Sequence, residues 1–264
     1  MATVADLPEE TGLSIGGVLS RAFGVMGGNP IVIFGLSFLF GALPIQLYTY
    51  FLINAAGSPG LSPVTLGVVS TGSIVLFLLC SMLAQGAIIR ASLAYAGGER
   101  ASFGECIAVG LTKLLPLIGL SILLMLGIMA GFLLLFIPGV ILLIMWSVAA
   151  PALVAEPVGI LGAFGRSRYL TKGARWKIFG MLILMFVLLA VLSAVLNLSL
   201  YSLGVPTGQA RWMDGAFPLW SIAISAVSNT ITTAFSSTIV TGLYLSLRNW
   251  KDGPQAEALA DIFA

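Results

Sequence analysis

"GRSRYLTKGARWKIFGM", residues 165–181, decides how this chain is read. Only 8% of the 264 residues are charged, yet Arg166, Arg168, Lys172, Arg175 and Lys177 fall inside this one stretch with no acid among them. The cations stop where a long apolar run begins. A cationic collar against such a run is what a membrane-crossing helix carries on the side that retains lysine and arginine.

Composition points the same way. The hydrophobic fraction is 59% and the mean hydropathy is +1.08, whereas a soluble domain holds about 45–50% apolar residues. So apolar a chain cannot hide its side chains in one aqueous core, and the expectation is an integral membrane protein. The start, "MATVADLPEE", is acidic and lacks the basic region of a signal peptide, so the first apolar run is expected to remain as a span.

About 20 apolar residues cross a bilayer as a helix. Six stretches qualify, at about 31–54, 64–93, 114–134, 138–155, 177–203 and 217–247. The expected fold is all-α, a single six-span polytopic membrane domain over 1–264. The third and fourth spans read as a helical hairpin broken at Pro138-Gly139. With both termini cytoplasmic, Arg21, Arg90, Arg100, Lys113, the five clustered cations, Arg248 and Lys251 lie on one side and only Arg211 on the other. That asymmetry predicts six spans with both ends cytoplasmic.

The chain also repeats itself. An offset of 145 places Arg21 on Arg166 and Ile33-Phe34-Gly35 on Ile178-Phe179-Gly180. In the middle, Ile118-Gly119-Leu120-Ser121 fits Phe34-Gly35-Leu36-Ser37, and Gly86 to Cys106 echoes Gly242 to Ile262. The reading is three helix-plus-hairpin repeats, all starting on the same side, each opened by a short interfacial helix. In two of these helices Ile15, Val18, Leu19 and Phe23, and Ile160, Leu161 and Phe164, recur at helical spacing.

Chemistry is scarce. With no histidine in the chain, imidazole metal sites and Ser-His or Cys-His nucleophiles are excluded. Cys80 and Cys106 lack metal-ligand spacing, no phosphate-cradling loop occurs, and no acid or base falls at mid-span. No catalytic residue, metal or cofactor is expected, and no nucleic-acid partner. If helical throughout, the basic stretch puts Arg168, Lys172 and Arg175 on one face, with Trp176 at headgroup depth. Arg166, Arg168, Lys172, Arg175, Lys177 and Trp176 are therefore candidates to contact anionic lipid headgroups or an acidic membrane-protein partner, beside their service to topology. Glu156 could pair with Arg166 or Arg168, and Arg211 with Asp214.

A second candidate is a polar groove of Gln46, Gln85, Asn229 and Thr232. It draws on a sixth-span stripe of Ser221, Ser225, Asn229, Thr232 and Ser236, for which close helix packing is the competing account.

Pro138-Gly139 opening a span, an apolar run ending near Glu156, then Arg166-Ser167, Thr171-Lys172-Gly173 and Trp176 carry a family likeness. Over 138–184 the chain resembles the membrane domain attached to some bacterial glycerophosphodiester phosphodiesterases and related stand-alone six-span proteins. The ending "LYLSLRNWKDGPQAEALADIFA" is similar to stand-alone alphaproteobacterial members. The resemblance implies the membrane fold alone, because the hydrolytic activity there belongs to a separate soluble barrel with acids and histidines around a metal. The function expected is a non-enzymatic lipid-binding or accessory module of the inner membrane. The alternative is a small permease or lipid-translocating protein using the polar groove.

Overall fold

The computed structural model describes residues 14–56, 62–202 and 219–253. Every regular element among them is a helix. Six stretches are long and apolar enough to cross a membrane: Pro30–Phe51, Ser70–Ala96, Leu114–Leu134, Phe136–Ala155, Arg175–Leu196 and Ile222–Asp252. The protein is an all-α polytopic membrane protein.

Three units follow one another. The first is α1 (Ile15–Gly28), a span made of α2 (Pro30–Leu36), a π-helical segment (Ser37–Ala42) and α3 (Leu43–Ala56), then α4 (Pro63–Ala96). The second is α5 (Phe103–Thr112), α6 (Leu114–Leu134), and a span in two pieces, α7 (Phe136–Met145) and α8 (Ala149–Ala155). The third is α9 (Ile160–Thr171), α10 (Arg175–Ser202) and α11 (Leu219–Asp252). The offset of 145 carries the start of α1 onto that of α9 and the start of α2 onto that of α10. An offset of 84 carries α2 onto α6. The short helices α1, α5 and α9 open the units and are called elbows below.

Local chemistry explains the boundaries. Ser14 caps α1 by accepting from the Gly17 amide, and Ser102 caps α5 by accepting from Glu105, three residues on, as in a capping box. Pro44 explains the π segment. A proline has no N–H for the carbonyl four residues back, so the ladder slips by one residue and the Leu43 amide reaches Phe38.

The units close on one another. Each second span packs against the elbow helix of the unit that follows: α4 against α5, α8 against α9, and α11 back against α1. The second spans α4, α8 and α11 also meet at the centre. Half of the apolar stretch of α11 is buried, against 11% of that in α10. Apolar burial, at about 25 cal/mol per Å², therefore holds the second spans, while much of the surface of α6 and α10 is left to lipid. Glycine lets the elbows come close. A Cβ on Gly86 would lie 3.2 Å from the Gly110 Cα in α5, and one on Gly242 3.2 Å from the Val18 carbonyl oxygen in α1.

Three expectations need correction. The third and fourth spans part at Leu135, which is extended, and not at Pro138-Gly139. Pro138 sits in the first turn of α7, where an amide is not needed for the ladder. The fourth span is not one helix: Pro151 denies the Ser147 carbonyl a partner, and the backbone turns at Trp146–Val148 before α8 begins. The elbow faces are also rotated from the pattern read in the sequence. In α1 the buried residues are Val18, Ala22, Val25 and Met26, while Phe23 is 55% exposed. In α9 they are Ala163, Ser167, Leu170 and Thr171, while Leu161 is 77% exposed.

Candidate functional site

The basic stretch does not form one helix. α9 ends at Thr171, Lys172 is extended, and Gly173 takes φ +92°, a left-handed conformation that glycine adopts without penalty. α10 then starts at Arg175. The single face of Arg168, Lys172 and Arg175 is thus broken by a turn, and the five cations fall into two sets.

Arg166 stands alone in the first set. Its Nε donates to Glu156 Oε1 at 2.8 Å, and its Nη1 and Nη2 both reach the Asp252 carboxylate. The Tyr244 hydroxyl donates to the same Glu156 oxygen at 2.7 Å. Asp252, and after it Glu156, hold the guanidinium charged and above its ordinary pKa, against the opposing effect of burial. One forked side chain from α9 so ties the exit of α8 to the end of α11. Of the two pairings read from the sequence, Glu156 takes Arg166 and not Arg168, and Asp252 was missed.

A second device fixes the same seam. Because α7 stops at Met145, the Ala149 amide bonds Trp146 and leaves the Met145 carbonyl without an intrahelical donor. Ser167 Oγ, from α9, donates to that carbonyl at 2.8 Å. The Trp146 ring packs edge-on to Phe164, with centroids 4.9 Å apart. A proline in the fourth span and a hydroxyl on the next elbow helix could have signalled this arrangement.

The second set is open. Arg168, Lys172, Arg175, Trp176 and Lys177 are exposed, and among the described residues none of these four cations makes an ion pair. Beside them lies an apolar groove of about 490 Å³ between α7 and α10. Phe136, Ile137, Val140, Ile141 and Ile144 line it from α7, and Arg175, Trp176 and Phe179 from α10. Trp176 is 85% exposed and stacks edge-on to Phe179.

The polar groove is a different matter. Gln46 on α3 is buried, and Gln85 on α4, Asn229 and Thr232 on α11 are half-buried. None of the four lines this groove or the cavity described below. On α11 the buried threonines are Thr230, Thr238 and Thr241, and the hydroxyl of each bonds a carbonyl one turn back in its own helix. Ser225, Asn229, Thr232 and Ser236 of the stripe are only half-buried, and the side chain of Ser221 lies outside the described ones. Arg211 and Asp214 fall outside the described residues.

Residues 101–247 match the model of a family described as a domain of unknown function, DUF7847. No curated protein and no solved structure matches the chain.

Proposed function

Since the chain belongs to the DUF7847 family, whose description names no activity, we propose from its geometry that it is a non-enzymatic lipid-binding module. The site is the groove between α7 and α10. An acyl chain lies along Phe136, Ile141 and Phe179, and an anionic headgroup meets Arg175 with Lys172 and Lys177 near it. The observation that carries this reading is the coincidence of an apolar groove with an arginine and an exposed interfacial tryptophan on its wall. Each cation beside an anionic leaflet contributes about 1 kcal/mol. Anchoring does not require that energy in a six-span protein, so it is free to select among lipids.

The same reading puts the basic end on the cytoplasmic side, supported by the lysine and arginine asymmetry, and a bacterial inner membrane is what the family resemblance implies. The likeness to the phosphodiesterase membrane domain adds architecture and no chemistry.

Native mass spectrometry after mild extraction tests the proposal. The wild type is expected to retain an anionic phospholipid that the double variant Arg175→Gln/Trp176→Ala loses. Equal retention by the two proteins would refute it.

A further inference from the structure

Among the described side chains of α3, the one that is buried is a glutamine. Gln46 is 9% exposed, while its neighbours on α3 are half-buried or exposed. Beyond its own span, α3 packs against α4 and α11, so Gln46 faces those two helices. Its carboxamide offers two donors and an acceptor, yet among the described residues it makes no hydrogen bond. A buried amide left without a partner is costly in an apolar setting, and a leucine at this position would avoid that cost.

The register of the first span against α11 shows what stands opposite. Gly242 of α11 lies against Val18, and Thr233 lies against Gly41, where a Cβ would come within 2.9 Å of the threonine side chain. Numbers rise along one helix as they fall along the other, so the two run antiparallel. Gln46 is five residues past Gly41 and is therefore level with the turn before Thr233. Asn229 stands on that turn, and its i, i+4 spacing puts it on the face that Thr233 presents to Gly41. It is half-buried and likewise makes no hydrogen bond among the described residues.

The two helices are tight at Gly41 and part beyond it. α11 packs closely along the π segment and far less along α3, as a proline and a π segment that turn a helix axis would produce. The surroundings are neutral, since no charged residue occurs in 31–89 or 215–247. A charged guest at this depth would need a counter-charge that neither stretch contains.

We infer that the space between Gln46 and Asn229 binds an uncharged hydroxyl-bearing molecule, which accepts from the N–H of one carboxamide while it donates to the carbonyl of the other. A hydroxyl does both at once. Water and a small polyol such as glycerol share that chemistry. Gln85 on α4 is no part of the site. Tyr95 lies against Gly28, so Gln85, ten residues before Tyr95, is level with Phe38 and about two turns from Gln46. The inference does not rest on the α7–α10 groove, which is lined by other residues.

The test is solid-state NMR on the full chain in phosphatidylcholine nanodiscs, with 15N in the glutamine and asparagine side chains. One arm follows magnetisation transfer to the Gln46 amide from water protons, and the other adds 13C-labelled glycerol and follows transfer from its carbons. Transfer in the first arm alone identifies bound water, and transfer in the second a polyol. Either supports the inference if Asn229→Leu abolishes it at Gln46 while Gln85 is unchanged, and if Gln46→Leu abolishes it at Asn229. Thermal unfolding gives a second reading. Each single variant strands the other amide and should lower the Tm, whereas the double variant strands neither and should recover most of the loss. No transfer in either arm, or transfer at Gln46 untouched by Asn229→Leu, would overturn the inference. So would single variants as stable as the wild type, or losses that simply add in the double variant.

Discussion

At the α8–α9 seam, Arg166 meets Glu156 and Asp252; at the α11–α1 seam, Arg21, its counterpart in the repeat, shares a cavity with Arg248. The two seams use the same scaffold, an elbow helix against the second span of the preceding unit. One is closed by its own carboxylates and a tyrosine hydroxyl, and the other brings Arg21, Arg90 and Arg248 around a cavity of about 560 Å³. What differs is local polarity rather than backbone path. A repeated architecture thus fixes where a charge sits, while the individual residue and its neighbours decide which partner it meets.

The closed seam should be the costliest to break. Removing Arg166 leaves two carboxylates that are only about a fifth exposed (18% and 23%) without their cation. Arg166→Leu is therefore expected to destabilise the protein by about 2–3 kcal/mol, below the range for fully buried pairs because water still reaches these groups. Arg166→Lys should recover part of that, since one ammonium cannot fork between Glu156 and Asp252. Thermal unfolding in detergent checks both, and an Arg166→Leu variant as stable as the wild type would mean that the network contributes nothing.

Next in size is the hydroxyl that tends the broken span. Ser167→Ala removes the shorter of two hydroxyl donors to the Met145 carbonyl and leaves it Thr171 Oγ1 at 3.4 Å, so the loss should fall at the lower end of the range, about 1–3 kcal/mol, that an unsatisfied carbonyl costs. Because the lesion is local, amide exchange around Trp146–Val148 should rise more than exchange in α4. Uniform acceleration throughout the bundle would argue against a seam-specific role.

How far the sequence foretold this contrast can be stated residue by residue. Six apolar runs set the spans, because crossing length is a physical requirement that composition satisfies visibly. The 145-residue offset placed Arg21 on Arg166, and the structure begins α9 and α10 at the corresponding positions. Glu156 was recognised as a partner since it sits ten residues from Arg166 in a chain nearly free of charge. Asp252 was not, for it lies 86 residues away and is brought in only by helix packing. The turn at Lys172–Ala174 was missed because spacing alone cannot tell a continuous helix from two pieces joined at a positive-φ glycine. The cavity was illegible for a similar reason. Arg21, Arg90 and Arg248 are far apart in the chain, and nothing local marks them as neighbours.

The α4–α5 seam offers a gentler probe of a closed interface. Cys106 is fully buried there, and burial first, then the charge of Glu105, push its thiol up from 9.0 to about 11 in spite of the opposing effect of Arg90. A raised pKa means that the folded protein holds this proton more tightly than the unfolded chain does. The stability it lends is present below pH 9 and declines as pH rises toward 11. Cys106 should thus resist iodoacetamide at pH 8 in the folded protein and react readily once the chain is denatured. Rapid labelling at pH 8 without unfolding would show that the seam opens on its own.

The smallest change in stability comes from the variant that bears most directly on the comparison. Arg21→Glu would give the α11–α1 seam the arrangement found at the α4–α5 seam, a carboxylate on the elbow helix near an arginine on the preceding span. Arg21 is exposed, so a new pair there should contribute less than about 1 kcal/mol. The expected outcome in thermal unfolding is a protein at least as stable as the wild type. A variant that unfolds at lower temperature would show Arg21 to be held by the fold in its own right.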